Sequence, residues 1–196
     1  MCSRRLLLQL IGISISLGLS SSMRVSAQSV GAKLVITPIA KDFYVYTTYN
    51  TYKGTRFPAN GLYVVTSKGV LIIDTPWDTT QFQVLLDSIT IKHQQKAVIV
   101  LSTHFHEDRT GGLSFYRAAG IDTYTSVSTD SISTIKKFPR AQYLFTRDTS
   151  FVLGAVTMQT FYPGSGHTSD NLVCWFPAQK ILYGGCLIKS TKDQTF

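Results

Sequence analysis

Two histidines and two carboxylates lie close together in the stretch LSTHFHEDRTGG, Leu101–Gly112. In an extended segment the side chains of His104 and His106 point to the same side, because side-chain direction has a period of two, and Asp108 continues that side as the chain turns. Imidazole and carboxylate groups are suitable zinc ligands. An HxH pair also arises by chance, but this pair contains half of the four histidines of the chain. The spacing therefore permits a metal site.

Further donors have to come from other parts of the chain. His167 stands in the stretch YPGSGHTSDN, on a glycine-bearing loop between strands, and Cys186 follows two glycines in LYGGCLIK. Each has a simpler explanation: a hydrogen-bonded loop histidine in the first case and a small apolar core residue in the second. Cys174, inside the apolar LVCWF, is predicted to be a core residue. His93, in the polar KHQQK, is predicted to be a helix-capping or exposed residue.

The elements that would position these residues follow from periodicity and turn residues. Thr79 to Lys92, Leu113 to Ala119 and Ser128 to Lys137 are predicted to be helices, and AVIVLS is predicted to be a buried strand that ends just before His104. The other predicted strands are KLVITPIA, FYVYTTY, GLYVVTS, GVLIIDT, DTYTS, SFVLG, VTMQTFYP, NLVCWFP and KILYGG. Strands, then alternating strands and helices, then strands again predict a layered α/β sandwich that begins with an antiparallel meander.

The first 27 residues have the layout of an export signal. Arg4 and Arg5 precede the apolar run LLLQLIGISISLGL, and serines and the stretch VSA follow it. This pattern predicts a signal peptide over residues 1–27, cleaved after Ala27, a periplasmic protein and no stable membrane insertion afterwards. Residues 28–196 are then one domain, because 196 residues with 44% hydrophobic content suit a single core.

The charge pattern argues against a nucleic-acid partner. Arg4, Arg5 and Arg24 would leave with the signal, so the 19 basic residues fall to 16 against 11 acidic ones, a net charge of +5. The remaining basic residues are scattered and are not interleaved with aromatic residues. We therefore expect a small-molecule ligand, and we expect a monomer because no coiled-coil or pairing signature is present.

Four of these motifs together resemble one family, the metallo-β-lactamases, and within it the subclass B1 enzymes. The motifs are HFHEDRTGG, GHTSDN, GGCLIK and IDTPWDTTQ, and the resemblance covers the chain from about Lys33 to Phe196. Other members of the superfamily commonly have a histidine at the position of Arg109 and an aspartate at the position of Cys186, and these two differences are typical of subclass B1. The resemblance implies a four-layer αββα sandwich.

The resemblance also implies a two-zinc centre and an activity. His104, His106 and His167 match the ligands of a first zinc ion, and Asp108 and Cys186 match two ligands of a second. The implied function is hydrolysis of the β-lactam amide bond of penicillins, cephalosporins and carbapenems by a metal-bound hydroxide, with antibiotic resistance as the result, and Asp108 would also orient the nucleophile. Two alternatives stay open: a thioesterase or glyoxalase-like hydrolase of the same superfamily, and an inactive zinc-binding fragment.

Two charged residues are expected to support the metal centre from outside. Arg109 would lie beside the second metal, and Asp74 would act as a hydrogen-bond acceptor that orients a ligand. Because a thiolate that binds a metal cannot form a disulfide, both Cys174 and Cys186 are expected to be reduced.

Substrate contacts are implied in the same way. Lys189 matches the lysine that binds the carboxylate common to β-lactams, although a surface lysine is the simpler alternative. Trp77 resembles an aromatic wall of the pocket, against the alternative of a core tryptophan. Tyr52 and Phe57 lie in NTYKGTRFPANG, which matches a flap over the site and is also compatible with a plain hairpin.

The family pattern includes residues that this sequence does not contain. Family members continue past the stretch CLIKS, and the continuation supplies a histidine as the third protein ligand of the second zinc, followed by a final strand and helix. No histidine follows His167 here. We therefore expect a partial reading of a longer gene: a C-terminally incomplete domain whose sandwich lacks its last strand and helix and whose second zinc site lacks one ligand.

Overall fold

The structure is a computed structural model that describes residues 34–146 and 148–189. The predicted signal peptide, residues 1–27, lies outside the described residues and remains a prediction. Within the described ranges the chain forms two β-sheets and four α-helices. No helix in these ranges is long and apolar enough to cross a membrane.

The larger sheet has seven strands in the spatial order β1 to β7. Its strands are β1 Leu34–Ala40, β2 Phe43–Tyr52, β3 Thr55–Thr66, β4 Gly69–Ile73, β5 Ala97–Ser102, β6 Asp122–Ser126 and β7 Tyr143–Phe145. The first four strands are antiparallel neighbours, as the predicted meander requires, and β4 to β7 pair in parallel. Parallel neighbours need crossover connections, which the helices supply.

The smaller sheet contains four antiparallel strands in the order β11-β10-β9-β8. They are β8 Ser150–Leu153, β9 Val156–Phe161, β10 Val173–Phe176 and β11 Ile181–Tyr183. The long connection between β9 and β10 carries His167, and a short 3₁₀ turn, Gly185–Leu187, follows β11 and carries Cys186.

The helices begin and end close to the predicted positions. They are α1 Phe82–His93, preceded by a 3₁₀ turn at Thr79–Gln81, α2 Glu107–Thr110, α3 Leu113–Ala118 and α4 Val127–Lys136. Asp78 caps the 3₁₀ turn, because its Oδ1 accepts a hydrogen bond of 2.9 Å from the Thr80 amide. The short helix α2 was not predicted, and it means that Asp108 extends from a helical turn while His104 and His106 precede that turn.

Two apolar clusters lie on opposite faces of the larger sheet. Tyr63 and Ile72 belong to the cluster that includes α1 and α3, whereas Leu62, Leu71 and Ile73 belong to the cluster that includes the smaller sheet. This separation follows from the alternation of side chains along β3 and β4. Helices, the larger sheet and the smaller sheet therefore form successive layers, and the predicted α/β sandwich is confirmed.

The predicted flap is a long β-hairpin. Strands β2 and β3 remain paired as far as Tyr52 and Thr55, and Lys53 and Gly54 form the turn between them with φ of 49° and 78°. A two-residue turn in which both residues have positive φ matches the twist of a hairpin. The sequence indicated shorter strands because the tip has no buried face and hence no apolar alternation.

Candidate metal centre

The carboxyl end of β5 positions the HFHED segment. The Thr103 carbonyl accepts a 3.0 Å hydrogen bond from the Leu172 amide, which ties this segment to the loop before β10. The Thr110 hydroxyl donates to the carbonyls of Phe105 and His106 at 3.0 and 3.1 Å. These bonds fix the backbone through His106, and potential ligand atoms of His104, His106 and Asp108 lie within 4.8 Å of one another.

The His167 loop is braced by Asn171. Its Oδ1 accepts hydrogen bonds from the amides of Gly166 and Thr168 at 3.2 and 3.0 Å, and its Nδ2 donates to the Gly164 carbonyl at 3.1 Å. Asn171 is 1% exposed, so water cannot replace these bonds. This residue was not predicted to belong to the site, although it ends the GHTSDN motif.

We expect Asn171→Ala to lower the free energy of unfolding by about 2–4 kcal/mol, because each buried backbone group left without a partner costs about 1–3 kcal/mol. Asn171→Asp keeps the acceptor oxygen and should lose less. Urea denaturation of both variants measures the difference. A loss below about 1 kcal/mol for the alanine variant would show that the loop holds its shape without this side chain.

Cys186 reaches the site through a tight backbone turn at Gly185. Gly185 has φ of 53°, and a Cβ there would lie 3.0 Å from Thr103 Oγ1 and 3.5 Å from Asp74 Oδ2. Glycine satisfies both the conformation and the close approach. Cys186 and Cys174 are free thiols, as expected, and Cys174 is fully buried in β10.

The five predicted metal ligands lie together although they come from three separate segments. Potential ligand atoms of two overlapping groups lie within 4.8 Å of one another, and the groups are His104, His167 and Cys186, and His104, His106 and Asp108. His106 Nδ1 is 3.1 Å from His167 Nε2, and the three imidazole centroids are 5.0 Å apart in each pair. Because both groups contain His104, the five side chains form one continuous donor cluster.

The chemistry of this donor cluster fits zinc, which takes imidazole nitrogen, thiolate and carboxylate ligands. His104 Nε2 is buried and has no hydrogen-bond partner among the described residues, while its Nδ1 is 3.2 Å from Thr103 Oγ1. Burial, followed by the charge of Arg109, lowers the pKa of His104 to about 2. The ring is therefore neutral at physiological pH, and one of its two nitrogens has a lone pair for a metal ion.

The Cys186 thiol would need a bound metal ion, in addition to Arg109, in order to ionise near neutral pH. Burial raises the pKa of its thiol to about 11, and the charge of Arg109 opposes this effect only in part. Arg109 Nη2 is 2.9 Å from Cys186 Sγ. A metal ion would deprotonate the thiol outright, since coordination stabilises the thiolate.

A buried charge network lies beneath the donor cluster. Arg109, whose side chain is 4% exposed, is 3.2 Å from Asp74 Oδ2 and 2.8 Å from Asp108 Oδ2. Asp74 also accepts hydrogen bonds from the Thr103 amide at 2.8 Å and from the Tyr183 hydroxyl at 2.7 Å. Burial raises the pKa of Asp74, and the Arg109 charge and these hydrogen bonds oppose that rise. The network holds Asp108 and the Cys186 thiol in place through one guanidinium group.

Tyr183 and Tyr46 are members of this network that sequence analysis missed. The Tyr46 hydroxyl donates to the Asp74 carbonyl at 2.6 Å, and the Tyr183 hydroxyl reaches both the Asp74 carboxylate and the Asn60 carbonyl. Both tyrosines lie within β-strands and match the alternation of ordinary core residues. No local signal therefore marked them as polar partners.

The predicted substrate-contact residues line a cavity next to the donor cluster. This cavity has a volume of about 510 Å³, and its walls include Tyr52, Phe57, Trp77 and Lys189 together with His167 and Cys186. Trp77 is half-buried, so it is a wall residue and not a core tryptophan. A larger cavity of about 670 Å³ lies against the smaller sheet and contains none of the five donor side chains.

His93 lies outside the site. It is half-buried at the end of α1, and its Nε2 is 3.0 Å from the Tyr63 hydroxyl. The prediction of a capping or exposed histidine was therefore only partly right, because the aromatic rings of Tyr44 and Tyr63 pack against it.

Comparison with known proteins identifies the family. Residues 54–194 match the model of the metallo-beta-lactamase superfamily, and the chain belongs to that family. It is 47% identical over 163 residues to metallo-beta-lactamase type 2 of Elizabethkingia meningoseptica, covering 82% of this chain and 66% of that protein. It is 38% identical over 155 residues to metallo-beta-lactamase IND-1 of Chryseobacterium indologenes, covering 78% and 64%. The chain thus spans about two thirds of the length of these curated relatives.

Solved structures agree with this family. The crystal structure of metallo-beta-lactamase IND-7 matches with a TM-score of 0.79 at 36% identity, covering 82% of this chain and 74% of that one. The metallo-beta-lactamase from Pontibacter korlensis also matches with a TM-score of 0.79, at 35% identity, covering 82% and 75%. The predicted resemblance and the metallo-β-lactamase sandwich are confirmed, and the family is one of metal-dependent proteins.

Proposed function

We propose that the protein is a zinc-dependent β-lactamase that hydrolyses the amide bond of penicillins, cephalosporins and carbapenems and so confers antibiotic resistance. The observation that carries this proposal is the convergence of three histidines, one aspartate and one cysteine in one donor cluster, in which His104 Nε2 is buried and has no hydrogen-bond partner among the residues that the structure describes. The names of the similar proteins, which are metallo-beta-lactamases, favour this activity over a thioesterase or glyoxalase-like one.

We assign His104, His106 and His167 to a first zinc ion, and Asp108 and Cys186 to a second. Bound zinc would supply Lewis-acid chemistry and an activated water. Asp108 orients the attacking water through its carboxylate, and the 2.8 Å ion pair with Arg109 fixes the direction of that carboxylate. Hydrolysis joins the water oxygen to the lactam carbonyl carbon and breaks the carbon–nitrogen bond, so the products are a carboxylate and an amine.

The chain's own residues bind and enclose the substrate. Lys189, which is exposed at one end of the cavity of about 510 Å³, attracts the carboxylate that the three substrate classes share. Trp77, Tyr52 and Phe57 supply apolar walls that exclude water from the reacting bond. The protein acts in the periplasm as a monomer in this proposal, after export directed by residues 1–27.

Removal of the metal tests the proposed function. We expect a chelator to abolish hydrolysis of benzylpenicillin and of a carbapenem, and added Zn²⁺ to restore it. Mg²⁺ should not restore it, because Mg²⁺ prefers oxygen ligands in octahedral geometry and the cluster offers nitrogen and sulfur. Hydrolysis that survives complete metal removal would reject the proposal. Zinc binding without hydrolysis of any β-lactam, or thioester hydrolysis alone, would favour the inactive or the thioesterase-like alternative.

A further inference from the structure

A second cavity opens over the same donor cluster. It has a volume of about 610 Å³ and shares Tyr52, Trp77, Asp108, His167 and Cys186 with the cavity that contains Lys189. Its remaining wall is formed by the predicted metal ligand His106 and by four residues that were not predicted to belong to the site, namely Phe105, Glu107, Lys136 and Phe138. A ligand whose reacting bond lies over the shared residues, with one end at Lys189, has the second cavity available for its other end.

The distinctive wall of the second cavity consists of Phe105, Phe138 and Lys136, here called the aromatic shelf. The rings of Phe105 and Phe138 are nearly parallel, with an angle of 17° and centroids 6.3 Å apart. The Lys136 ammonium lies 5.2 Å from the centroid of the Phe105 ring. Phe105 also contacts His106, with ring centroids 4.4 Å apart, so the shelf adjoins the metal centre directly.

The end of α4 holds the shelf in position. Lys137 has the left-handed conformation, with φ of 59°, and the Phe138 amide donates a 2.9 Å hydrogen bond to the Ser133 carbonyl. This helix ending reverses the chain and brings Phe138 to the cavity. Phe105 is fixed independently, because its carbonyl accepts the Thr110 hydroxyl.

The charge of Lys136 is available to a ligand. Lys136 is exposed and forms no ion pair with any residue in the ranges 34–146 and 148–189. Glu107 lines the same cavity, but its carboxylate is not within ion-pair distance of the Lys136 ammonium. Two aromatic faces next to an uncompensated ammonium suit a group that combines a ring with a carboxylate.

We propose that the aromatic shelf binds the acyl side chain of the substrate and that it favours side chains carrying an aromatic ring and a carboxylate. This inference rests on the proposed β-lactamase function and deepens it, since it assigns to the second cavity a preference among β-lactam side chains. Lys189 and Lys136 then bind two different carboxylates at the two ends of one dianionic β-lactam.

Two penicillins that differ in a single carboxylate test the assignment. Benzylpenicillin and its α-carboxy derivative share the phenyl ring and the reacting bond, so the ratio of their kcat/KM values isolates the added charge. We expect Lys136→Gln to lower the ratio of α-carboxy derivative to benzylpenicillin about three- to fivefold, the upper part of the range of an exposed ion pair. The effect should shrink at high salt.

Lys96→Gln is the matched control, because it removes the same charge from an exposed lysine that lines neither cavity. It should leave the ratio unchanged. Equal ratios in the wild type and in Lys136→Gln would overturn the assignment while the proposed function stands. If the wild type, loaded with zinc, hydrolyses neither penicillin, the proposed function fails and this assignment fails with it.

A second variant tests the aromatic half of the shelf. We expect Phe138→Leu to lower kcat/KM for both phenyl-bearing penicillins about threefold, relative to 6-aminopenicillanic acid, which has no acyl side chain. An equal loss for all three substrates would mean that Phe138 acts only on the general structure of the site, and it would overturn the ring contact.

Discussion

Replacement of His106 by alanine is expected to reduce kcat/KM for β-lactam hydrolysis about a thousandfold or more. His106 Nδ1 lies 3.1 Å from His167 Nε2, and both belong to the proposed three-histidine zinc site. Loss of the His106 imidazole leaves that site with two nitrogen donors. A bound metal contributes several kcal/mol of transition-state stabilisation, and each factor of ten in rate corresponds to about 1.4 kcal/mol. Steady-state hydrolysis measures the loss of activity, and the zinc content of the purified variant measures the loss of metal binding.

The matched control for His106→Ala is His93→Ala. His93 packs against Tyr44 and Tyr63 and lines neither cavity at the metal centre. Its loss should leave the activity per folded molecule close to that of the wild type. The assignment of His106 is wrong if its alanine variant keeps full zinc content and more than a tenth of the wild-type kcat/KM.

Replacement of Asp74 by alanine is expected to have the largest effect on stability, a loss of about 3–5 kcal/mol in the free energy of unfolding. Removing one partner of a buried ion pair leaves the other charge uncompensated, and this costs about that much. Asp74 is fully buried and bonds Arg109, Thr103 and Tyr183. The free energy of unfolding of a typical domain is about 5–15 kcal/mol, so the variant should unfold at a much lower urea concentration than the wild type.

Two further variants separate the causes of this loss. Asp74 has φ of 67°, a conformation that asparagine tolerates better than alanine, so Asp74→Asn isolates the loss of charge and should cost less than Asp74→Ala. Asp87 is exposed on α1, and Asp87→Ala should change the stability by no more than about 0.5 kcal/mol. If Asp74→Ala is no more destabilising than Asp87→Ala, the buried network does not contribute to stability as inferred.

Several parts of the fold could be predicted because their signals are local. Alternation along GLYVVTS and GVLIIDT predicted strands, and the three- and four-residue spacing after Asp78 predicted α1. Where a strand had no buried face, the prediction was incomplete, as at the tip of the β2–β3 hairpin. Strand β7 was missed for a similar reason: it has three residues, two of them exposed, and no usable pattern.

The sequence by itself determined which side chains are available as metal donors and, through HFHED, that three of them lie close together. Only the tertiary structure decided which distant residues they contact. His106 and His167 are 61 residues apart, Asp108 and Cys186 are 78 apart, and Asp74 and Tyr183 are 109 apart. Resemblance to a family implied that the first two pairs lie close together, whereas nothing in the sequence implied the contact between Asp74 and Tyr183. Periodicity records the environment of each residue along its own helix or strand, but hydrogen bonds between distant residues depend on how the two sheets pack against each other.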